Sequence, residues 1–246
     1  REEVAERYNI DVYIGRTSEI EHRTARIFSI SPRTIVRECM HDPFVCKIGY
    51  RKYVPFTTFA RAMRNMNAIG SDFDVFNNPE LRLSAQPAVN AIATARALAQ
   101  THQLLADGYL VSTPFLKRLL EPVIVDVHDE TIGERLSKGH GFFYNRSPLG
   151  DWQLSHMGVG GQIVKADIKR RLTFAYITNG MKAGQGEHTL TAKRLERQLY
   201  RCWQEALETH AGSIVEPKPI LTWAADKGRS KGELKKIQQG ISRATA

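Results

Sequence analysis

The stretch Asp151-Trp152-Gln153-Leu154-Ser155-His156-Met157-Gly158-Val159-Gly160-Gly161-Gln162-Ile163-Val164-Lys165-Ala166-Asp167 sets two alternating runs on either side of a glycine cluster. Alternation over short runs bounded by turn residues predicts strands at Asp151–His156 and Gln162–Asp167. Glycine in a strand costs entropy and packing, so three in four positions need a reason. In one reading a ligand or another backbone comes close here. The missing side chains at Gly158, Gly160 and Gly161 then open a groove, and an edge strand offers its N–H and C=O groups to a substrate. His156 beside that groove is placed to donate a hydrogen bond, orient a proton transfer or, when charged, bind a carboxylate. The other reading is a bulged strand turn with a structurally satisfied His. A nucleotide loop is a poor alternative: His-x-Gly-x-Gly-Gly lacks the Lys-Ser/Thr of a phosphate loop and the third-glycine spacing of a dinucleotide fold.

Working outward, Gly141–Arg146 and Leu172–Asn179 also read as strands, the latter joined to Gln162–Asp167 by a polar turn at Ile168–Arg171. A helix is predicted over Glu187–His210, with Leu190, Leu195, Leu199, Cys202, Trp203, Ala206 and Leu207 on its buried face and Gly212 ending it. Upstream, Asn90–Ala106 reads as a helix capped by Asn90 and stopped by Asp107-Gly108, followed by a second near Thr113–Leu120. The chain opens on a short amphipathic helix, Glu2–Tyr8, and an alternation at Ile10, Val12 and Ile14 closed by Gly15. Ser31–Pro87 looks irregular apart from a helical piece at Thr57–Met66 and a turn at Asn77-Asn78-Pro79. Its Phe44, Phe56, Phe59, Phe73 and Phe76 are expected to anchor the core. Helices, then an antiparallel sheet, then a helix suited to cover it: the fold class is α+β.

The 246 residues, 42% hydrophobic and 25% charged, suit a globular chain, and no apolar run reaches the length of a membrane span. Of the net charge of +9, the 31 residues from Glu216 to Ala246 carry +4, with Pro217 and Pro219 at their start and little to bury. That segment reads as a flexible, solubilising basic tail; nucleic-acid binding is the disfavoured alternative, for want of aromatic interleaving. The three cysteines, Cys39, Cys46 and Cys202, read as buried reduced thiols, which favours a reducing intracellular compartment. Cys39-Met40-His41 with Cys46 matches no zinc spacing, so no metal and no cofactor is expected. His22, His102, His128, His140, His188 and His210 show no ligand pairing, although His140 lies close to the groove strand. Glu19, Glu21, Asp126, Asp129 and Glu130 read as solvated surface charges on loops or helix faces.

The order of several motifs resembles the β-lactamase-related serine hydrolases: class C β-lactamases, esterases and penicillin-binding-protein-like proteins, the animal β-lactamase-domain-containing branch above all. The resemblance lies in Gly139-His140-Gly141-Phe142-Phe143-Tyr144, in Ser155-His156-Met157-Gly158-Val159-Gly160-Gly161-Gln162 and in Asp167. It extends to Ala175-Tyr176-Ile177-Thr178-Asn179-Gly180-Met181-Lys182 and to Ser84–Gly108, where Pro87-Ala88-Val89-Asn90-Ala91 leads into a helix. Arg1-Glu2-Glu3-Val4-Ala5 is similar to a helix in the middle of such proteins. Together these cover about residues 1–211.

The resemblance implies a β-lactamase/transpeptidase-like fold and an acyl-enzyme mechanism. A Ser of Ser-x-x-Lys attacks an ester or amide, with the Lys and the Tyr of a Tyr-x-Asn motif sharing the proton transfer. His156-Met157-Gly158 would be the third motif, lining the groove, and the Val159 N–H one oxyanion donor. The sequence departs from the family at the decisive point. None of its twelve Ser has Lys three positions on, and no Tyr has Asn two positions on. Nor is there a Gly-x-Ser-x-Gly elbow. The expectation is therefore the C-terminal portion of such a domain over residues 1–215 and a tail over 216–246. The N-terminal strands and the nucleophile helix are expected to lie outside the chain. A small acyl substrate is implied for the complete parent, and a non-catalytic binding or scaffolding protein of the same fold is the rival. The oligomeric state is left open.

Overall fold

The computed structural model describes residues 2–15, 18–69 and 73–209; the basic tail and the boundary expected after residue 215 lie outside them. A one-turn helical start at Glu2–Glu6 leads to strand β1, Val12–Ile14. Four helices follow, α1 Pro32–His41, α2 Pro43–Tyr53, α3 Thr58–Ile69 and α4 Pro79–Leu83; α3 answers the helical piece expected at Thr57–Met66, and the other three stand where an irregular region was expected. The cause of those three is local. Ser31, Asp42 and Asn78 each accept a backbone N–H of the following turn, and each precedes a proline at the first helical position. The Phe residues expected to anchor a core here do not do so. Phe56 is 90% exposed, Phe44, Phe59 and Phe76 are half-buried, and the side chain of Phe73 lies outside the description.

The expected helix at Asn90–Ala106 divides in two. Strand β2, Ala91–Ala93, pairs antiparallel with β1, and helix α5 spans Ala95–Ala106 with Thr94, not Asn90, as its cap. Asn90 is instead buried, its side chain bonded to the backbone of Gln86 and Leu81 and to the Ser84 carbonyl. Helix α6, Thr113–Arg118, follows.

The rest is a six-stranded antiparallel meander in chain order: β3 Ile124–Asp129, β4 Glu134–Gly139, β5 Phe142–Arg146, β6 Trp152–Gly158, β7 Gln162–Asp167 and β8 Leu172–Tyr176. β3 and β4 were not foreseen as strands, and Asp126 and Asp129 lie on β3 rather than on loops or helix faces. His140 turns the β4–β5 hairpin with Gly141, at φ of 54° and 86°, the left-handed pair that a two-residue turn requires.

Helix α7, Leu190–Thr209, closes the molecule, and its buried face differs from the expected leucine stripe. Ala192, Glu196 and Tyr200, one turn apart, face inward; Leu195 is 49% exposed and Cys202 is exposed. The reason lies in the sheet beneath. Side chains alternate across a sheet, so Leu154 and Ala166 point one way while Gln153, Lys165 and Asp167 point the other. On the first face Leu154, Ala166 and Tyr144 pack with Leu105 and Ala106 of α5, Leu116 of α6 and Leu119, which caps α6. Leu116, Leu119 and Leu154, each about 1% exposed, contribute about 2 kcal/mol apiece. On the second face Gln153, Ser155, Lys165 and Asp167 are buried and polar beside the apolar Ile163, and α7 answers the polar groups in kind. The fold is thus α+β, a sheet with α5 and α6 on one side and α7 on the other.

Cys39 and Cys46 form a disulfide, and Cys202 is exposed, which corrects the expectation of buried reduced thiols. The break between α1 and α2 at Asp42-Pro43 brings the two Cα atoms to 5.4 Å, within bridging range.

Candidate functional site

The glycine cluster is the hairpin between β6 and β7. Gly158 pairs with Gln162, and Val159-Gly160-Gly161 make the turn. Gly160 and Gly161 hold φ of 83° and 88°, which non-glycine residues rarely adopt. The room left by their missing side chains is taken by the chain itself: Met181 sits against Gly160, and Lys182 with Thr189 against Gly161, at 2.9–3.0 Å from where a Cβ would stand. A Cβ on Gly158 would lie 3.1 Å from Gln162.

The segment behind the turn is tied to it. Lys182 N donates to the Gly160 carbonyl at 3.0 Å. The Gln162 carboxamide donates to the Thr178 carbonyl and accepts the Thr178 N–H, both at 2.8 Å, standing in for a backbone pair just beyond β8.

His156 is exposed on β6, opposite Val164, with its ring edge-on to Phe143 at 5.8 Å. Val159 at the tip is 37% exposed. β6 is an interior strand between β5 and β7, not the edge strand expected, but its register with β5 ends at the pairing of Phe143 with Ser155. His156, Gly158 and Val159 thus stand together at the end of β6 beyond that pair, while Gly160 and Gly161 face residues 181–182. His102 on α5 shares the sheet face of His156. Burial pulls its pKa below the ordinary histidine value, against the Leu98 carbonyl that bonds its Nδ1 at 2.9 Å, and the charge of His156 lowers it further. Tyr144 offers no phenolate: burial pushes it up to about 12.

Sequence reasoning missed the cluster that anchors residues 182–189. Glu38 on α1 accepts the N–H groups of Ala183 and Gly184 at 2.8 and 2.9 Å. His188 donates Nδ1–H to Asp42 at 2.6 Å and Nε2–H to Glu134 at 2.8 Å, and stacks on Phe44 at 4.1 Å. Its partners lie 146 and 54 residues away, so no local spacing could reveal them. Among the described residues no group of three or more His, Cys, Asp or Glu is arranged to hold a metal ion.

Burial pulls the pKa of His188 down, but the hydrogen bonds to Glu134 and Asp42 outweigh it and the net shift is upward from 6.5. Burial likewise raises Asp42, yet His188 and the Phe44 N–H bring it below 3.8, with Lys193 adding to that shift. The sign follows from linkage. The His188 contribution is complete below the unfolded value of 6.5 and is lost as pH rises through the raised folded pKa. The Asp42 contribution is present above 3.8 and is lost as pH falls through its lowered one. The Tm is therefore expected to drop as pH rises above 6.5 and through the raised folded pKa, and His188→Gln to flatten that drop. Equal slopes in the two proteins, followed by circular dichroism, would refute the clamp.

A family model described as Beta-lactamase matches residues 1–198. The chain belongs to the Beta-lactamase family. A curated relative named Esterase/beta-lactamase LipL, from Mycobacterium tuberculosis, is 27% identical over 187 residues, covering 73% of this chain and 42% of that protein. Among solved structures, the chain resembles a novel penicillin-binding protein (PBP) homolog from Caulobacter crescentus. The TM-score is 0.50 at 20% identity, over 78% of this chain and 49% of that one. The chain therefore spans less than half the length of these two relatives. In the Beta-lactamase family member described here, the α+β fold with its six-stranded antiparallel sheet agrees with the fold of that neighbour. No helix of the described residues is long and apolar enough to cross a membrane.

Proposed function

We propose that these 246 residues furnish the groove-strand side of a β-lactamase-like serine hydrolase, one that cleaves an ester or amide through a Ser acyl-enzyme. The observation that carries the reading is β6 itself. In a Beta-lactamase family chain it presents exposed His156 and then Gly158 and Val159 at one end, where a substrate can lie along the strand. In this reading the N–H of Val159 donates to the developing oxyanion and His156 orients the acyl group or a proton transfer. Gly158 keeps the strand open to the substrate. Gly160 and Gly161 act on that groove indirectly, letting residues 181–182 pack beneath the turn.

The nucleophile is assigned outside these residues, because no Ser here stands in Ser-x-x-Lys. Ser155, next to the groove histidine, is buried and points to the α7 side of the sheet. A fluorophosphonate or penicillin-type acylating probe is therefore expected to leave this chain unlabelled. A covalent adduct on any of its twelve Ser, located by peptide mass spectrometry, overturns the assignment. The absence of both Ser-x-x-Lys and Tyr-x-Asn favours a second reading, a non-catalytic binding protein of the same fold. The two separate on the transcript that encodes the chain. A Ser-x-x-Lys followed by a Tyr-x-Asn upstream of Arg1 supports the hydrolase, and a reading frame that lacks them supports the binding protein.

A further inference from the structure

The sheet face opposite His156 carries a second concavity. A groove of about 490 Å3 runs between α7 and the turn that joins β5 to β6, lined by Arg146, Ser147, Leu149, Lys193, Arg197 and Arg201 among others. Its volume lies within the range of small-ligand sites. Lys193, Arg197 and Arg201 follow one another at four-residue steps on α7, so at 1.5 Å per residue they form a row about 12 Å long.

No side-chain hydrogen bond or ion pair engages these three among the described residues, whereas Lys169 and Arg170 both reach Asp151. The groove does have carboxylates in its wall, Glu187 and Glu196, but both are committed to Lys165, which is 3% exposed behind it. Glu196 also accepts from Gln153 at 2.6 Å. Both wall carboxylates are thus engaged by Lys165, and Asp42, the further acid within electrostatic reach of Lys193, is bonded to His188 at 2.6 Å. The opposite wall is held in place as well: the Arg146 guanidinium lies 3.6 Å from the centre of the Trp152 ring and donates to the Gly150 carbonyl at 2.9 Å.

We propose that this groove binds a small anion bearing two or more phosphate groups. Guanidinium forks on two walls match phosphate oxygens two at a time, whereas a lone ammonium acts only as a point charge. A row of cations at one-turn spacing favours an extended polyanion over a single carboxylate.

The test uses the full 246-residue chain with inorganic tripolyphosphate as probe, followed by isothermal titration calorimetry at about 0.1 M salt, where loose surface attraction is screened. Saturable binding at one site is expected. Arg197→Ala should weaken it at least about 10-fold, the effect of losing a charge-assisted bond. Arg194→Ala removes the same charge from the same helix outside the groove, and should change affinity less than about 2-fold. Both variants are first shown to keep the parent's melting temperature. Absence of saturable binding overturns the site. Equal weakening by Arg194→Ala overturns it too, by showing attraction to net charge alone. Binding of citrate as tight as that of tripolyphosphate overturns the phosphate assignment.

Discussion

Lys165→Met is expected to destabilise the protein by about 3–5 kcal/mol, the cost of leaving a buried carboxylate without its partner. Lys165 is 3% exposed and Glu196 is 4% exposed. The ammonium lies 2.7 Å from Glu196 and 2.5 Å from Glu187. Removing it strands the buried Glu196 carboxylate where water cannot replace the lost charge, and leaves the part-exposed Glu187 without its partner. The effect is also communal. Tyr200, one turn beyond Glu196 on α7, donates to Asp167 at 2.9 Å, and Asp167 accepts from Arg170 at 2.9 Å. Burial first, and the Asp167 carboxylate after it, raise the Tyr200 pKa, so the phenol remains a donor. α7 is thus attached to the sheet largely through this polar seam, and loosening Glu196 weakens the seat of the whole helix. Urea unfolding followed by circular dichroism measures the loss. Glu196→Gln in the Lys165→Met background keeps an amide beside Gln153 and removes a charge, so it should recover much of the deficit. A Lys165→Met protein within about 1 kcal/mol of the parent would show that water reaches the seam.

That seam explains why part of the fold was legible and part was not. β5, β6, β7 and β8 each carry their own alternation and their own turn, so local pattern placed all four, and Gln162–Asp167 was read with both its ends. α7 was read as a helix, because its length and composition are local properties, but with the wrong face inward. A leucine stripe is the default reading of an amphipathic helix. Here Gln153, Lys165 and Asp167 on the sheet select Glu196 and Tyr200 instead, and nothing within α7 announces them. β2 failed for a related reason. Ala91–Ala93 is neutral between helix and strand until β1, almost eighty residues earlier, pairs with it. The missed helices α1, α2 and α4 are different: their signal was present. Ser31-Pro32, Asp42-Pro43 and Asn78-Pro79 are each a cap followed by a first-turn proline, but read as punctuation they suggested loops.

The candidate site divides in the same way. The glycine turn and His156 were visible because glycines at such density are rare in strands. The support beneath them was not, because Glu38, Asp42 and Glu134 come from α1, the α1–α2 break and β4. Their common target is the segment from Gly180 to Thr189, which joins the far side of the glycine turn to the start of α7. One residue in it offers a sharp test.

Gly184→Ala is expected to cost about 3 kcal/mol, at the upper end of ordinary overpacking. A Cβ there would fall onto the His188 carbonyl, with the carbonyl carbon at 2.7 Å and the Thr189 nitrogen at 3.4 Å. These are backbone atoms, so no side-chain rotation relieves the contact; residues 184–189 must move. Any such movement pulls on three anchors at once: the Gly184 N–H on Glu38, the Thr189 hydroxyl on the Gly184 carbonyl at 3.1 Å, and the imidazole of His188 between Asp42 and Glu134. The comparison is Gly49→Ala within α2, where nothing lies within 4 Å of the new methyl. That change should stabilise by about 0.5–1 kcal/mol, through helix propensity alone. The two variants add the same atoms and should move the Tm in opposite directions. Because the strain in Gly184→Ala acts on the segment packed under Gly160 and Gly161, amide exchange at Gly160–Gln162 should also quicken in that variant and stay unchanged in Gly49→Ala. A loss of stability without faster exchange at the turn would mean that residues 184–189 and the β6–β7 hairpin are mechanically independent. The anchoring of the glycine turn by the Glu38, Asp42 and Glu134 cluster would then be wrong.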